Sequence, residues 1–312
     1  MATSLSLREL AKAGDRLSPG HRMCSGCTAP VVVRMVLNAI EEPVVVANAT
    51  GCLEVSTALT PYTAWRVPWI HTAFENAAAT LSGVEAMYES LKRQGKMDRD
   101  VKFVAFGGDG GTYDIGLQSL SGALERGHKM MYVCYDNEAY MNTGIQRSSA
   151  TPMGADTTTT PRGKQSSGKK QWRKDLTAIV AAHHIPYVAQ ASPHRWKDLM
   201  TKARKGMAAN GPAFLSVLAP CNRGWRIDTS DGIKAAELAV ETCFWPLFEV
   251  ENGQWSLSYK PRHKLPVVEW LKTEGRFQHL FRDEHEDVLD AFQHEVDERW
   301  DQLLKLCGEP QQ

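Results

Sequence analysis

The apolar and polar stretches in the middle of the chain predict a strand, a glycine turn, a helix and a second strand. Val101 to Phe106 is a short run of apolar, β-forming residues, which is typical of a buried parallel strand. Residues 107–111 include four glycines and end this strand. Apolar side chains then recur at helical spacing from Ile115 to Leu124, and a second apolar run, 130–135, leads to Asn137. The pattern predicts a βαβ unit with polar turns at the strand ends.

Similar patterns elsewhere predict an α/β fold whose mostly parallel sheet is flanked by helices. Further strands are expected at 44–47, 187–190 and 213–218, and helices at 5–13, 29–40, 71–88, 176–183 and 196–209. After residue 232 the pattern changes to a hairpin with an Asn252-Gly253 turn and amphipathic helices at 266–281 and 284–307. We therefore expect an α/β domain at 1–232 and a C-terminal hairpin and helical extension at 233–312.

Composition and charge argue against several classes of partner. Lys plus Arg and Asp plus Glu are equal at 36 each, so neither nucleic acid nor another polyelectrolyte is expected to bind. No apolar run approaches the length of a membrane span, and the first residues lack the apolar core of a signal peptide. The expectation is a cytoplasmic protein with no membrane contact.

A long polar segment follows Asn137 and runs to Asp175. Its second half is basic, with Arg162, Lys164, Lys169, Lys170, Arg173 and Lys174. Long loops inside compact domains are usually functional. Two interpretations stay open: a solvated face, or a docking surface for an acidic partner or a phosphate-bearing co-substrate.

Hard oxygen ligands follow both strands of the central unit. Asp109 lies in the first turn and Asn137 in the second. The carboxyl ends of parallel strands line the crevice where open α/β sheets bind ligands, and glycines let a backbone approach an anion. With a backbone carbonyl and two phosphate oxygens, these side chains would complete an octahedral Mg²⁺ site. A diphosphate cofactor held through Mg²⁺ is predicted.

The seven cysteines are odd in number and unevenly spaced, which favours metal or redox use over disulfides. Cys24 and Cys27 form a C-x-x-C turn that could bind a metal or a cluster or serve another use, and no second such pair exists for zinc. Cys52 and Cys221 each follow a predicted strand. The remaining three are interpreted as packing residues: Cys134, Cys243 and Cys307.

The segment from Pro61 to Ile70 is predicted to be an aromatic loop, whose rings pack or face a cofactor. His71, at the predicted start of the following helix, is either a polar residue near the helix cap or a cofactor contact.

Gly108-Asp109-Gly110 followed by Asn137 resembles the thiamine diphosphate (TPP) fingerprint. Longer segments resemble the β subunit of 2-oxoacid:ferredoxin oxidoreductases, most closely the pyruvate:ferredoxin oxidoreductase (pyruvate synthase) type. These segments are CSGC (24–27), NATGCLEVSTALTPYTAWRVPWIHTAFENAAA (48–79), GDGGTYDIGLQSLSGALERG (108–127), YDNEAYMNTGIQRSSATP (135–152) and APCNRGW (219–225). The resemblance covers essentially the whole chain and implies a TPP-binding fold.

The resemblance also implies a set of site residues. One 4Fe-4S cluster would be held by Cys24, Cys27, Cys52 and Cys221. Mg²⁺ would be held by Asp109, Asn137 and the carbonyl of Ala139. The cofactor would be contacted by Thr50, Gly51, Cys52, Leu53, His71, Gly108, Asp109, Gly110, Gly111, Asn137, Met141 and Asn142. Asn142 is the catalytic candidate, orienting the substrate.

What the resemblance implies for activity is oxidative decarboxylation of a small 2-oxo acid, with pyruvate and coenzyme A favoured and ferredoxin as electron acceptor. A partner α subunit would supply the pyrimidine-binding domain, and a ferredoxin-like cluster subunit and a γ-type subunit would complete the assembly. Three alternatives stay open: oxalate as substrate without coenzyme A, a cluster-free TPP decarboxylase subunit, and a non-catalytic zinc-binding scaffold.

Overall fold

A computed structural model describes residues 6–10, 12, 14–164, 166–282 and 285–310. Its strands are β1 Val44–Ala49, β2 Trp69–Thr72, β3 Lys102–Gly108, β4 Met131–Asp136, β5 Arg162–Gly163, β6 Ser166–Ser167, β7 Tyr187–Ala191, β8 Ala213–Leu218, β9 Leu247–Glu251 and β10 Gln254–Tyr259. Its helices are α1 Leu7–Leu10, α2 Ala29–Ala39, α3 Cys52–Thr57, α4 Ala77–Arg93, α5 Leu117–Glu125, α6 Leu176–Ala181, α7 Trp196–Ala208, α8 Asn222–Trp225, α9 Gly232–Glu241, α10 Val268–Leu271 and α11 Glu286–Leu306.

Eight strands form one sheet in the spatial order β10-β9-β7-β8-β4-β3-β1-β2. The six strands from β7 to β2 in that order run parallel to their neighbours. Every residue of β4 and β8, in the middle of the sheet, is buried, which explains their uninterrupted apolar sequences. The predicted mostly parallel sheet is thus confirmed.

Helices cover both faces of the sheet, and successive residues of a strand contact opposite layers. On β4, Val133 faces the core formed with α2 and α7, whereas Cys134 faces the core formed with α4, α5, α6 and α11. Both faces of the central strands are therefore buried. No helix within the described ranges is both long and apolar enough to cross a membrane.

The C-terminal part of the chain continues this sheet. The predicted hairpin forms around Asn252-Gly253, and its first strand, β9, pairs antiparallel with β7. The predicted boundary after residue 232 falls at the start of α9, a helix that the sequence analysis did not identify. A third hydrophobic core packs the extension against the α/β part, through Trp225, Trp245, Trp270 and Phe292 among others.

Several predicted elements differ in the structure. The predicted aromatic loop ends at Pro68, because Trp69, Ile70 and His71 lie in β2, which pairs with β1, and the following helix begins only at Ala77. Cys52 starts α3 where a turn was expected. The helix expected at 266–281 is split into α10 and a 3₁₀ turn, since between them the Gly275 N–H donates instead to the Arg226 carbonyl (3.3 Å). Of the helix expected at 5–13, the structure has Leu7–Leu10, and residues 5, 11 and 13 lie outside the described residues.

The basic half of the long loop is not a uniformly solvated face. Lys169 is only 1 % exposed. Its ammonium donates to three backbone carbonyls, those of Thr151 (2.5 Å), Trp172 (3.4 Å) and Ser149 (3.5 Å). Arg173 pairs with two buried carboxylates, whereas Lys170 is exposed. Lys169 therefore holds the loop together, and Arg173 ties it to Asp136 at the end of β4.

We expect Lys169→Met to lower the free energy of unfolding by about 2–4 kcal/mol, because three loop carbonyls would lose a charged donor. The matched control is Lys170→Met, which replaces an exposed side chain and should change stability by less than about 0.5 kcal/mol. Urea unfolding followed by tryptophan fluorescence compares the two. An equal loss in both variants would contradict a specific role for Lys169.

Candidate active site

The candidate site lies at the carboxyl ends of β8, β4, β3 and β1, which are neighbours in the sheet. Ten of the predicted cofactor residues line one cleft at this edge: Thr50, Gly51, Cys52, Gly108, Asp109, Gly110, Gly111, Asn137, Met141 and Asn142. Leu53 and His71 are not among its lining residues. Ala139 also lines the cleft. The structure therefore brings together residues that are spread over nearly a hundred positions of the chain.

Three oxygen atoms converge where β3 and β4 end. The amide oxygen of Asn137 lies 2.9 Å from Asp109 Oδ1 and 2.9 Å from the carbonyl oxygen of Ala139. Acceptors this close repel each other unless a cation or a donor lies between them. Ligands about 2.1 Å from an octahedral Mg²⁺ are about 3.0 Å apart along an edge, so with the amide oxygen of Asn137 facing the other two oxygens, two separations of this three-oxygen group match that ion. A rotated amide would instead donate from its nitrogen to both oxygens.

Asp109 is the charged member of this group and is fully buried. The Ser148 hydroxyl donates to its Oδ2 (2.5 Å), and the backbone N–H of Asn137 donates to its Oδ1 (3.3 Å). Burial first, and then the nearby Asp136 carboxylate, raise the pKa of Asp109 well above its usual range. A bound cation would remove this penalty on the charged form.

The neighbouring carboxylates differ from Asp109 because arginines neutralise them. Asp136 pairs with Arg173 at 2.6 Å. Glu138 pairs with Arg173 at 3.2 Å and with Arg276 at 2.5 Å. Among the described residues, no lysine or arginine forms an ion pair with Asp109. The buried charge that needs an external cation is therefore the one in the cleft.

One wall of the cleft depends on Gly110. The Tyr140 hydroxyl donates to the Gly110 carbonyl (2.9 Å), and a Cβ at this glycine would lie 2.3 Å from the Tyr140 ring. A π-helical turn, Gly110–Ile115, begins here and leads into α5. Only glycine lets the ring pack directly on the backbone, which keeps the main chain of the turn at the surface of the cleft.

Four of the seven cysteines come together beside this cleft, and we call them the cysteine set: Cys24, Cys27, Cys52 and Cys221. The Thr28 hydroxyl donates to the Pro220 carbonyl (2.9 Å), which ties the C-x-x-C turn to the turn after β8. The other three cysteines pack elsewhere, against the second face of the sheet: Cys134, Cys243 and Cys307.

Three thiols of the set, those of Cys27, Cys52 and Cys221, are poor anions without a cation because burial raises the pKa of each. Burial, with smaller contributions from neighbouring thiols of the set, raises the pKa of Cys27 and that of Cys52 to about 12. Within the described part of the chain, no three His, Cys, Asp or Glu side chains are grouped to hold a single metal ion.

The cysteine set and the cleft share a boundary. The Asn142 side chain lies within reach of Cys52, where its amide favours the thiolate and partly offsets the effect of burial on the pKa of Cys52. Met141 packs so closely on Gly224 that a Cβ there would lie 2.1 Å from the methionine sulfur. Gly224 in turn donates its N–H to Cys221 Sγ (3.4 Å). A ligand in the cleft and a group on the thiols would be separated by little more than these side chains.

His71 is not at a helix terminus as predicted. It lies in β2, where its Nδ1 is 2.7 Å from Glu54 and its ring stacks on Trp69 at 4.9 Å. Its side chain is 56 % exposed. The structure therefore places it beside the site, on the surface.

Ser148 and Tyr135 were missed in the sequence analysis, as were three further residues that line the cleft: Phe74, Tyr140 and Thr143. Ser148 contacts Asp109, which is 39 positions away in the sequence, and no local sequence pattern predicts that contact. The Tyr135 hydroxyl is buried without a hydrogen-bond partner among the described residues and would lie 2.9 Å from a Cβ at Gly51. Its position at the end of β4 could have identified it, but the apolar run concealed it.

Comparisons with known proteins agree with this geometry. The family described as thiamine pyrophosphate enzyme, C-terminal TPP-binding domain, matches residues 49–217. Pyruvate synthase subunit PorB of Thermotoga maritima is 52 % identical, over 97 % of this chain and 96 % of that protein. Ketoisovalerate oxidoreductase subunit VorB of Pyrococcus abyssi is 43 % identical, over 92 % of each.

A solved structure of 2-oxoglutarate:ferredoxin oxidoreductase from Magnetococcus marinus shares the fold. It aligns with a TM-score of 0.56 at 22 % identity, over 72 % of this chain and 78 % of that one. The resemblance inferred from the sequence motifs is confirmed by the long, high-identity alignments. The chain belongs to the 2-oxoacid:ferredoxin oxidoreductases, as the subunit with the TPP-binding domain.

Proposed function

We propose that this chain is the β subunit of a pyruvate synthase, which oxidatively decarboxylates pyruvate, transfers the acyl group to coenzyme A and reduces ferredoxin. The observation that carries the proposal is the three-oxygen group beside the cysteine set at one sheet edge. Oxidative decarboxylation needs an electron acceptor close to the cofactor. The identity to relatives named as pyruvate synthase subunits supports pyruvate as the substrate.

The cleft residues would hold TPP through Mg²⁺. Asp109, Asn137 and the Ala139 carbonyl would bind the cation, and the main chain around Gly110 and Gly111 would face the diphosphate. When bound, the cofactor supplies the electron sink that decarboxylation of a 2-oxo acid requires. Thr50, Gly51 and Met141 are proposed as further cofactor contacts, whereas Leu53 is fully buried in the core formed with α2 and α7.

The chain's own side chains would position the substrate and exclude water rather than take part in the reaction themselves. Asn142, which is exposed at the mouth of the cleft, would orient the substrate with its amide. Tyr135 presents a buried, unpartnered hydroxyl toward Gly51, so it has a donor free for a bound group. Tyr140 and Met141 would screen the site from water.

The cysteine set would hold one 4Fe-4S cluster. Four thiols from three separate segments of the chain suit a cluster, which takes one thiolate per iron. Because burial keeps the thiols of Cys27 and Cys52 protonated, binding of the cluster would release their protons. The proximity of Asn142 to Cys52 supports direct passage of electrons from the cleft to the cluster.

This prediction concerns the Asn142–Cys52 contact. Asn142→Ala should lower the reduction potential of the cluster by some tens of millivolts, because hydrogen bonds to ligand sulfurs stabilise the more negative, reduced state. Asn142→Asp should lower it further, since a carboxylate repels that state. Potentiometric titration followed by electron paramagnetic resonance measures both. Unchanged potentials in both variants would refute the contact.

The partners are proposed from the family. A TPP site needs a pyrimidine-binding domain, which the resemblance assigns to an α subunit. A ferredoxin-like cluster subunit and a γ-type subunit would carry electrons onward to ferredoxin. The cleft lies at the sheet edge, where a partner chain could close it.

The decisive test is anaerobic purification of the complex with iron, sulfide and TPP quantified per β chain. We expect about four iron, about four sulfide and about one TPP. TPP without iron would indicate the cluster-free decarboxylase. Zinc without iron or TPP would leave the scaffold interpretation.

The substrate needs a separate test, because a relative at 43 % identity is named for ketoisovalerate. Reduction of ferredoxin should be measured with pyruvate, ketoisovalerate and oxalate, each with and without coenzyme A. Highest kcat/KM with pyruvate, dependent on coenzyme A, is the expected result. Turnover of oxalate without coenzyme A would support the alternative substrate instead.

A further inference from the structure

Glu138 separates two members of the three-oxygen group, Asn137 and Ala139. Its backbone φ is +69°, in the left-handed region that residues other than glycine rarely adopt. Its side chain is fully buried between Arg173 (3.2 Å) and Arg276 (2.5 Å). Such a conformation persists only where the surroundings over-determine it. The two arginines therefore hold the turn that presents the oxygens.

Arg276 reaches this turn from the C-terminal extension and is 2 % exposed. Its Nη2 donates to Glu138, and its Nε donates to Glu274 at 2.6 Å. The face of the guanidinium lies over the Trp225 ring, 4.3 Å from its centroid. One side chain thus uses its edge for two carboxylates and its face for an indole.

Trp225 connects the two halves of the site. Its backbone N–H donates to the Cys221 carbonyl (2.8 Å), within the turn that carries a thiol of the cysteine set. Its indole N–H donates to the Asn137 carbonyl (2.8 Å) and is fully buried. Trp225, whose ring Arg276 covers, is therefore bonded to both ligand-bearing turns, through its indole N–H to one and its backbone N–H to the other.

We propose that Arg276 is a positioning residue that holds the three-oxygen group and the Cys221 turn in one fixed relation. The inference rests on the Mg²⁺ and cluster sites of the proposed function. Lysine keeps the positive charge but lacks the planar fork and the stacking face. A substitution of Arg276 by lysine should disturb both sites, although this side chain contacts neither the cation nor a sulfur.

The experiment compares the wild-type and Arg276→Lys complexes, assembled anaerobically. Arg276→Lys should raise the Mg²⁺ concentration that half-saturates TPP binding by about 10- to 100-fold, as changes to residues that orient metal ligands do. Iron and sulfide should stay at wild-type amounts, while the paramagnetic resonance spectrum of the reduced cluster changes. Calorimetric titration of TPP at a series of Mg²⁺ concentrations provides the first readout, independently of turnover.

The matched control is Lys202→Met, which removes an equally buried cation (1 % exposed) bonded to Asp198, away from the site. Lys202→Met should be less stable than the wild type, but its Mg²⁺ dependence of TPP binding and the resonance spectrum of its reduced cluster should be unchanged. If Arg276→Lys fails to assemble, Glu274→Gln tests the same role, because it weakens the bond at Nε; a smaller shift in the same direction is expected.

The role of Arg276 is overturned if both readouts stay at wild-type values, or if Lys202→Met moves them equally. A wild-type complex without iron would instead refute the cluster of the proposed function. The Mg²⁺ readout would then still decide on Arg276.

Discussion

Replacing Asp109 by asparagine should lower the rate at which the complex reduces ferredoxin on the order of 10³-fold. A bound cation contributes several kcal/mol to such reactions, and each factor of ten corresponds to about 1.4 kcal/mol. Asp109 supplies the only negative charge of the three-oxygen group, so its amide should bind Mg²⁺ and TPP poorly. Steady-state kinetics across Mg²⁺ concentrations, with TPP binding by calorimetry, measure the effect.

The same substitution should stabilise the ion-free protein at pH 7. Burial and Asp136 raise the folded-state pKa of Asp109 above the ordinary value of 3.8. The folded state therefore favours the protonated carboxyl, and stability is lost as the pH rises from about 4 through the raised pKa. Asparagine has no charge to bury. Urea unfolding with a chelator present, at pH 5 and pH 7, should show the gain mainly at pH 7.

Asp114→Asn is the matched control, because Asp114 lies in the same π-helical turn but pairs with Lys174. It should keep wild-type Mg²⁺ dependence. If Asp109→Asn retains more than about a tenth of the activity with normal Mg²⁺ dependence, the assignment of the cation site is wrong.

Cys27→Ser should lower the rate of ferredoxin reduction on the order of 10²-fold or more, and most of the iron should be lost. The reason is that a cluster without one of its four thiolates is held poorly and electrons lose their route from the cleft. TPP binding should persist, since Cys27 does not line the cleft. Iron analysis, the absorption spectrum and TPP calorimetry separate these effects.

Cys307→Ser provides the comparison, because Cys307 is a partly buried thiol outside the cysteine set. Its iron content and turnover should equal those of the wild type. Full iron content in Cys27→Ser, or an equal loss in Cys307→Ser, would disprove the ligand assignment.

Local patterns were sufficient to predict the edge of the sheet where the site lies. The runs that became β3 and β4 are apolar because both strands are buried on two faces, and the turns that follow them must then meet. Asp109, Asn137 and the cysteines after strands could be identified for this reason. They converge in the structure because neighbouring parallel strands bring the turns that follow them to the same edge of the sheet.

The residues that support the site could not be predicted in this way. Ser148 reaches Asp109 across 39 positions, Trp225 reaches Asn137 across 88, and Arg276 reaches Glu138 across 138. Each is a tertiary contact with no periodic signal. His71 was misplaced because pairing of β2 with β1 outweighed the helical preference of the residues after it.

The positions of the thiols along the chain have a consequence for biosynthesis. Cys24 and Cys27 precede the first strand of the sheet, and Cys221 follows β8. A cluster on these thiols would join the beginning of the chain to a segment translated much later, and so could be inserted only after most of the sheet had been made. It would also act as a cross-link over a long loop, which stabilises a fold by restricting its unfolded chain. Loss of the cluster on exposure to oxygen would then destabilise the fold of the subunit as well as interrupt its electron path.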